Sequence, residues 1–153
     1  MRVMIVGQKF FGAEVLKLCL ARGDDVVAVS APRVDDRLAA LATDAGVPLC
    51  QVDKRLGAEW VPDGLDVILC AHAHLFVTPE ARAKARLGAL GYHPSLLPRH
   101  RGRDAVVWAV HMRDQGNGRH RVLAGRRGGY RGYSGAGLVL GQARRYRRGA
   151  LAA

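Results

Sequence analysis

Between Arg2 and Met112, short apolar runs alternate with longer stretches whose apolar residues recur at helical spacing. Arg2–Gly7 reads R-V-M-I-V-G, rich in Val and Ile, which suits a buried parallel strand. Gly7–Gly12 follows as a turn. Ala13–Arg22 carries Val15, Leu16, Leu18, Cys19 and Leu20, a helix with a broad apolar face, and Gly23 ends it in the usual C-terminal position. Asp25–Ser30 reads as a second strand and Asp36–Ala45 as a second helix, stopped by Gly46. Val47–Val52 is a short third strand interrupted by Pro48, and Asp66–Ala71 a fourth, apolar after its first residue. Thr78–Arg86 predicts a helix with Thr78 as N-cap and Pro79 at the first helical position. Leu87–His93 is a fifth strand. Asp104–Met112 is a helix capped by Asp104, with Val106, Val107, Trp108 and Val110 as its apolar residues.

Strands alternating with helices predict an α/β fold, a parallel sheet covered on both faces. Ligands of such sheets bind at the carboxyl ends of the strands. Three loops therefore matter most: those after Gly7, Ala71 and His93.

Composition agrees with a folded core. The chain has 153 residues, and 49% are hydrophobic, enough for one domain and too many for full disorder. No run approaches a membrane span, and the first residues lack the layout of a signal peptide. Cys19, Cys50 and Cys70 lie far apart among apolar neighbours, which predicts core thiols in a cytoplasmic protein.

The net charge of +11 looks like a nucleic-acid signature until it is divided along the chain. Met1–Asp114 holds 15 Lys and Arg and all 13 acidic residues, a net +2. Gln115–Ala153 holds nine Arg, no acid and 10 of the 19 glycines. The organisation predicted is a nearly neutral α/β domain over 1–114, incomplete at its C-terminal end, followed by a disordered basic tail over 115–153.

Gly7-Gln-Lys-Phe-Phe-Gly12 follows a strand and opens a helix. It has neither dinucleotide-binding spacing nor the Lys-Ser/Thr of a phosphate loop, which leaves a tight turn or a ligand contact. His72 and His74 form H-x-H at a strand end. No Asp, Glu or Cys stands at helpful spacing to complete a metal site, so pocket lining is expected and no metal. The informative segment is His93–Gly102, H-P-S-L-L-P-R-H-R-G. Its histidine ends a strand, and Pro94 and Pro98 stiffen the loop on both sides of Ser95-Leu96-Leu97. A histidine so held suits acid/base work or oxyanion stabilisation, or simply a hydrogen-bonded structural loop.

Gly91–Gly102, G-Y-H-P-S-L-L-P-R-H-R-G, resembles the signature of the folate-dependent formyltransferases. That family includes methionyl-tRNA formyltransferase, glycinamide ribonucleotide formyltransferase and the hydrolase domain of 10-formyltetrahydrofolate dehydrogenase. Met1–Gly12, with G-Q-K-F-F-G, is similar to that hydrolase domain in particular, and Asp66–Val77 falls where the family's folate-contacting strand and loop lie. The resemblance implies a Rossmann-like sheet and formyl transfer from 10-formyltetrahydrofolate to an amine, or to water in hydrolase members. It implies that His93 stabilises the tetrahedral oxyanion and moves a proton. It also implies that Ser95, Leu96, Leu97 and Pro98 line the folate site and that the backbone of Leu75, Phe76 and Val77 hydrogen-bonds the pterin ring.

Two departures follow. The family's asparagine, two residues before the histidine, is Gly91 here; the dehydrogenase-type domain lacks that asparagine as well. The family's aspartate, in D-G-x-D-T-G downstream of the histidine, has no counterpart, since no acid follows Asp114. A change of reading frame would account for this. Arg126–Gly132 is encodable as CGN-CGN-GGN-GGN-TAY-CGN-GGN. Moved one base along, those codons permit Asp-Gly-Val-Asp-Thr-Gly. Asn117–Gly125 likewise permits Thr-Gly-Gly-Thr-Val-Tyr-Trp-Leu, a strand-like run. The expectation is a shift between about Asp114 and Asn117, a tail read out of frame, and impaired activity in the chain as it stands. A methionyl-tRNA formyltransferase-like acceptor, aminoacyl-tRNA, is the first reading. The others are hydrolysis of 10-formyltetrahydrofolate and a non-enzymatic RNA-associating protein that uses the Arg-Gly tail for phosphate attraction and stacking.

Overall fold

The computed structural model describes residues 1–73, 75–95, 99–100 and 104–113, and the backbone of 120–124. Its elements are β1 (Arg2–Gly7), α1 (Lys9–Ala21), β2 (Asp25–Ser30), α2 (Arg37–Asp44), β3 (Leu49–Cys50), β4 (Arg55–Leu56), a 3-10 turn (Ala58–Trp60), β5 (Val67–Ala71), β6 (Phe76–Val77), α3 (Pro79–Ala83), β7 (Ala89–His93), α4 (Ala105–His111) and β8 (His120–Ala124). The main sheet has the order β3-β2-β1-β5-β7-β8. Its first five strands are parallel, and β8 runs antiparallel to β7. The chain winds outward from β1 to β3 and then restarts on the other side of β1, so the strand order reverses between β1 and β5. In sheets of this kind the crevice for a ligand opens at such a switch point.

Every residue of β1 after Arg2 is buried. Val3 and Ile5 face α1 and α2, packing with Leu16, Val26, Val29 and Leu38. Met4 and Val6 face the opposite side, packing with Leu56, Ile68, Ala81 and Ala85. A strand apolar on both faces needs cover on both, and that is why its sequence shows no alternation. Leu16 and Leu38 are fully buried where α1 meets α2, and each such side chain stabilises the fold by about 2 kcal/mol.

Several predicted boundaries move. α1 begins at Lys9, so most of the stretch expected as a turn over Gly7–Gly12 is helical. The reason lies far along the chain: Asp36 accepts the Lys9 N–H on both carboxylate oxygens at 2.9 Å and also caps α2 through Leu38 N at 2.9 Å. The third strand shrinks to Leu49–Cys50, because Pro48 has no N–H for the ladder and joins only through its carbonyl, which Val29 N reaches at 2.8 Å. Thr78 does cap α3, accepting from Ala81 N at 3.2 Å. Asp104 does not cap α4 with its side chain. Nor do the apolar residues of α4 enter the core: Ala105 and Ala109 form its buried stripe, and Val106, Val107, Trp108 and Val110 are exposed.

The small parallel pair β4–β6 is not foreseen by the pattern, being two residues per strand. β8 draws a strand from the segment assigned to the basic tail, with Ala89 opposite Ala124 and His93 opposite His120. Residues 125–153, including the proposed aspartate codons, lie outside the described residues.

Candidate active site

The carboxyl ends of β1, β5 and β7 lie side by side, in the register Gly7 to Ala71 and Cys70 to Gly91. At the switch point Gly7 approaches β5 so closely that a Cβ would run into the Ala71 carbonyl oxygen. That carbonyl also accepts the Gln8 N–H at 3.3 Å. Absence of a side chain at Gly7 is thus a packing requirement between the strands. Gly7→Ala is expected to destabilise the fold by about 3 kcal/mol, seen as a lower urea midpoint; an unchanged midpoint would mean that the strands separate freely there.

Four non-glycine residues among those described have a left-handed backbone: Lys9, His72, His100 and Arg113. Lys9 opens α1 just after β1, and His72 and His100 sit in the loops that follow β5 and β7. Such conformations cost about 1 kcal/mol or more each and gather where a fold holds side chains for a purpose. Phe11, in the first turns of α1, meets Tyr92 of β7 with ring centroids 4.9 Å apart, joining the helix after β1 to the strand that ends at His93.

His93 is the last residue of β7 and is half-buried. Its Nε2 lies 3.1 Å from the His100 carbonyl oxygen. A carbonyl only accepts, so this bond puts the proton on Nε2 and leaves Nδ1 of the neutral ring as an acceptor. Ser95 is fully buried, and its hydroxyl donates to the Arg99 carbonyl at 2.7 Å. The loop that begins at His93 is thereby stitched back onto it from both sides. A ring with one N–H and one acceptor nitrogen, held at a strand end, can take and return a proton.

The other predicted residues divide. Leu75 packs beside the second core cluster, Val77 is buried, and Phe76 is exposed. Phe76 N–H donates to the Lys54 carbonyl at 2.9 Å and Thr78 N–H to Leu56 at 3.1 Å, so these two N–H groups are committed to β4. The alternation of a parallel ladder turns the Val77 peptide the other way, where its carbonyl accepts from Arg82 Nη1 at 2.9 Å. Leu96, Leu97, Pro98 and His74 lie outside the described residues. His72 is exposed, and no group of three or more metal-ligating side chains occurs among the described residues.

Gly91 leaves the place of the family's asparagine without a side-chain donor, between Cys70 on β5 and Val122 on β8. Burial pushes the Cys70 thiol up to about 11, outweighing the opposing pull of Arg82, and raises Cys19 and Cys50. All three cysteines are free, and protonated thiols of this kind are poor nucleophiles at neutral pH. Two contributors escape the sequence reading. Asp36 is legible as a helix start but not as the tether of Lys9, and Arg82 in P-E-A-R-A carries no signal that it is buried. A cavity of about 240 Å³ lined by Val3, Val67, Leu69, Leu87 and Leu90 lies toward the amino ends of the strands, away from His93.

The formyl transferase family matches residues 48–120. The chain is 31% identical to human cytosolic 10-formyltetrahydrofolate dehydrogenase over 131 residues, which covers 77% of this chain and 14% of that protein. It is 30% identical to the Xenopus tropicalis counterpart over 128 residues, 75% of this chain and 14% of that one. The chain therefore spans about 14% of the length of these relatives. Methionyl-tRNA formyltransferase of Chlorobium chlorochromatii is 29% identical over 130 residues, 72% of this chain and 40% of the enzyme. Among solved structures, glycinamide ribonucleotide transformylase 1 from Symbiobacterium toebii superposes with a TM-score of 0.64 at 19% identity, covering 83% of this chain and 67% of that one. Phosphoribosylglycinamide formyltransferase from Anaplasma phagocytophilum gives 0.63 at 15% identity, covering 83% and 66%. At those identities the likeness shows the fold.

Proposed function

The chain carries a domain of the formyl transferase family, and from that premise we propose that its site takes the formyl group of 10-formyltetrahydrofolate and passes it to an amine. One observation carries the reading: His93 stands at a strand's carboxyl end, one strand from the switch point, with its ring tied to the loop it opens. In transfer, an amine attacks the formyl carbon and a tetrahedral oxyanion forms. The amine proton must leave and N10 of the folate must gain one. His93 Nδ1 accepts the first proton, and the imidazolium then stabilises the oxyanion and protonates the leaving nitrogen. Ser95 holds the loop that presents the ring, and the resemblance assigns it, with Leu96, Leu97 and Pro98, to the folate site. Leu75, Phe76 and Val77 line the pterin side of that site, and the N–H of Phe76 stays with β4.

Turnover is slow in this chain, because the aspartate that would orient and charge-balance the histidine is missing: no acid follows Asp114. The acceptor of first choice is aminoacyl-tRNA, in line with the methionyl-tRNA formyltransferase relative. The dehydrogenase relatives favour a second reading, in which water replaces the amine and formate is released. Three free thiols fit a reducing cytoplasm.

The purified chain, given 10-formyltetrahydrofolate with and without initiator methionyl-tRNA, tests both readings. Formylmethionyl-tRNA supports transfer, and formate without tRNA supports hydrolysis. Failure to bind the folate removes both, and turnover at the rate of an intact enzyme contradicts the impairment.

A further inference from the structure

The sheet brings together histidines that lie far apart in the chain. His93 ends β7 and stands directly opposite His120 of β8. On the other side of β7, Cys70 of β5 stands opposite Gly91, and the same register carried two residues on puts His72 opposite His93. Three of the six histidines thus fall in one row, across β5, β7 and β8, at the carboxyl end of β7. His72 is exposed and His93 is half-buried, so solvent and small ions reach the row. His120 is described by its backbone, which fixes its place in the register.

The spacing suits a shared ligand. Residues directly opposite on antiparallel strands have Cβ atoms about 5 Å apart, and neighbouring strands run about 4.8 Å apart. The outer positions of the row are therefore about 10 Å apart along the sheet, with His93 midway. The His93 ring also has the setting of a metal-bound imidazole. Such a ring almost always donates its second N–H to a carbonyl or carboxylate, which fixes the tautomer and leaves the other nitrogen as the ligand. Here Nε2–H donates to the His100 carbonyl at 3.1 Å, and Nδ1 keeps its lone pair. His72 adds a left-handed backbone at φ 60°, a conformation that gathers at functional sites.

We propose that the row of His72, His93 and His120 binds a single divalent ion of the zinc class. Three imidazoles suit such an ion and leave its fourth position to water or an anion. An ion there uses the Nδ1 lone pair that accepts the amine proton in formyl transfer, so metal binding and proton transfer at His93 exclude each other. The binding stands on the register and on the His93 ring, and does not depend on the folate reading. It belongs to the chain as it stands: the His120 codon read one base along gives Thr or Ile, so the shifted frame removes the third histidine.

Calorimetric titration of the whole chain with zinc chloride tests it, with cobalt(II) as the spectroscopic substitute. A single zinc per chain is expected. His120→Ala and His72→Ala are each expected to weaken binding by about tenfold or more, and His74→Ala by less than about twofold. His72→Ala, in an exposed loop, serves if His120→Ala does not fold. Cobalt is expected to show the visible bands of a tetrahedral ion without a sulfur charge-transfer band. A chain that binds no zinc overturns the proposal, as does affinity unchanged by His120→Ala in a folded variant. Equal losses from His72→Ala and His74→Ala with none from His120→Ala assign the ion to the H-x-H pair and also overturn it. A sulfur band brings in a cysteine, with Cys70 in the nearest row, and overturns the three-histidine site.

Discussion

Replacing residues 117–153 with the translation of the frame one base along raises the formyl-transfer rate by about a hundredfold or more. The figure is what a positioned acid/base partner commonly contributes. Composition is the starting point: Arg and Gly codons read one base along become codons for Asp, Val and Gly, and Arg126–Gly132 then permits Asp-Gly-Val-Asp-Thr-Gly. The second aspartate falls at position 129. β8 ends at Ala124, opposite Ala89 at the far end of β7 from His93. From there five extended residues span at most about 17 Å. Ala89 to His93 rises about 13 Å. The chain length between 124 and 129 thus exceeds the length of β7 from Ala89 to His93. The measurement is release of tetrahydrofolate from 10-formyltetrahydrofolate by the two chains at equal concentration. Equal rates would sink the idea, as would a gene whose shifted frame encodes no acid in this region.

The alternation of apolar runs and helical stretches makes the five parallel strands of the main sheet and the four helices among the described residues legible, because each buried element must be apolar on the faces it covers. That His93 ends a strand is legible too, since the run from Leu87 stops there and Pro94 follows. What the chain does not display locally is what depends on distant partners. Lys9–Gly12 reads as a turn, yet Asp36 reaches across to start the helix there. Gly12 suits that helix because it lies against Leu38, where a Cβ would stand 3.0 Å from the Leu38 side chain. α4 reads as an apolar helix for the core, yet its alanines make the contact and its larger residues face outward. Apolar content alone cannot say which face of a helix docks when small residues allow the closer approach. Arg82 is the sharpest case. A charged residue in a short helix is expected at the surface, and only the third dimension shows it under Phe76 and bound to Val77.

His93→Ala separates a histidine that works alone from one that works with an acid. In the chain carrying the shifted-frame segment, the substitution is expected to lower formyl transfer by about a hundredfold to ten-thousandfold, with folate affinity unchanged within about twofold. In the chain as it stands the same substitution is expected to cost far less. Groups that act as a unit are not additive, and once one is gone the loss of the next removes little more. Removing the imidazole also removes its 3.1 Å contact with the His100 carbonyl, so the folate titration guards against a loop that has simply come loose. Equal fold-losses in the two chains would show that His93 acts without the aspartate, and the missing acid could then not explain slow turnover. No loss in either chain would move the chemistry off His93 altogether.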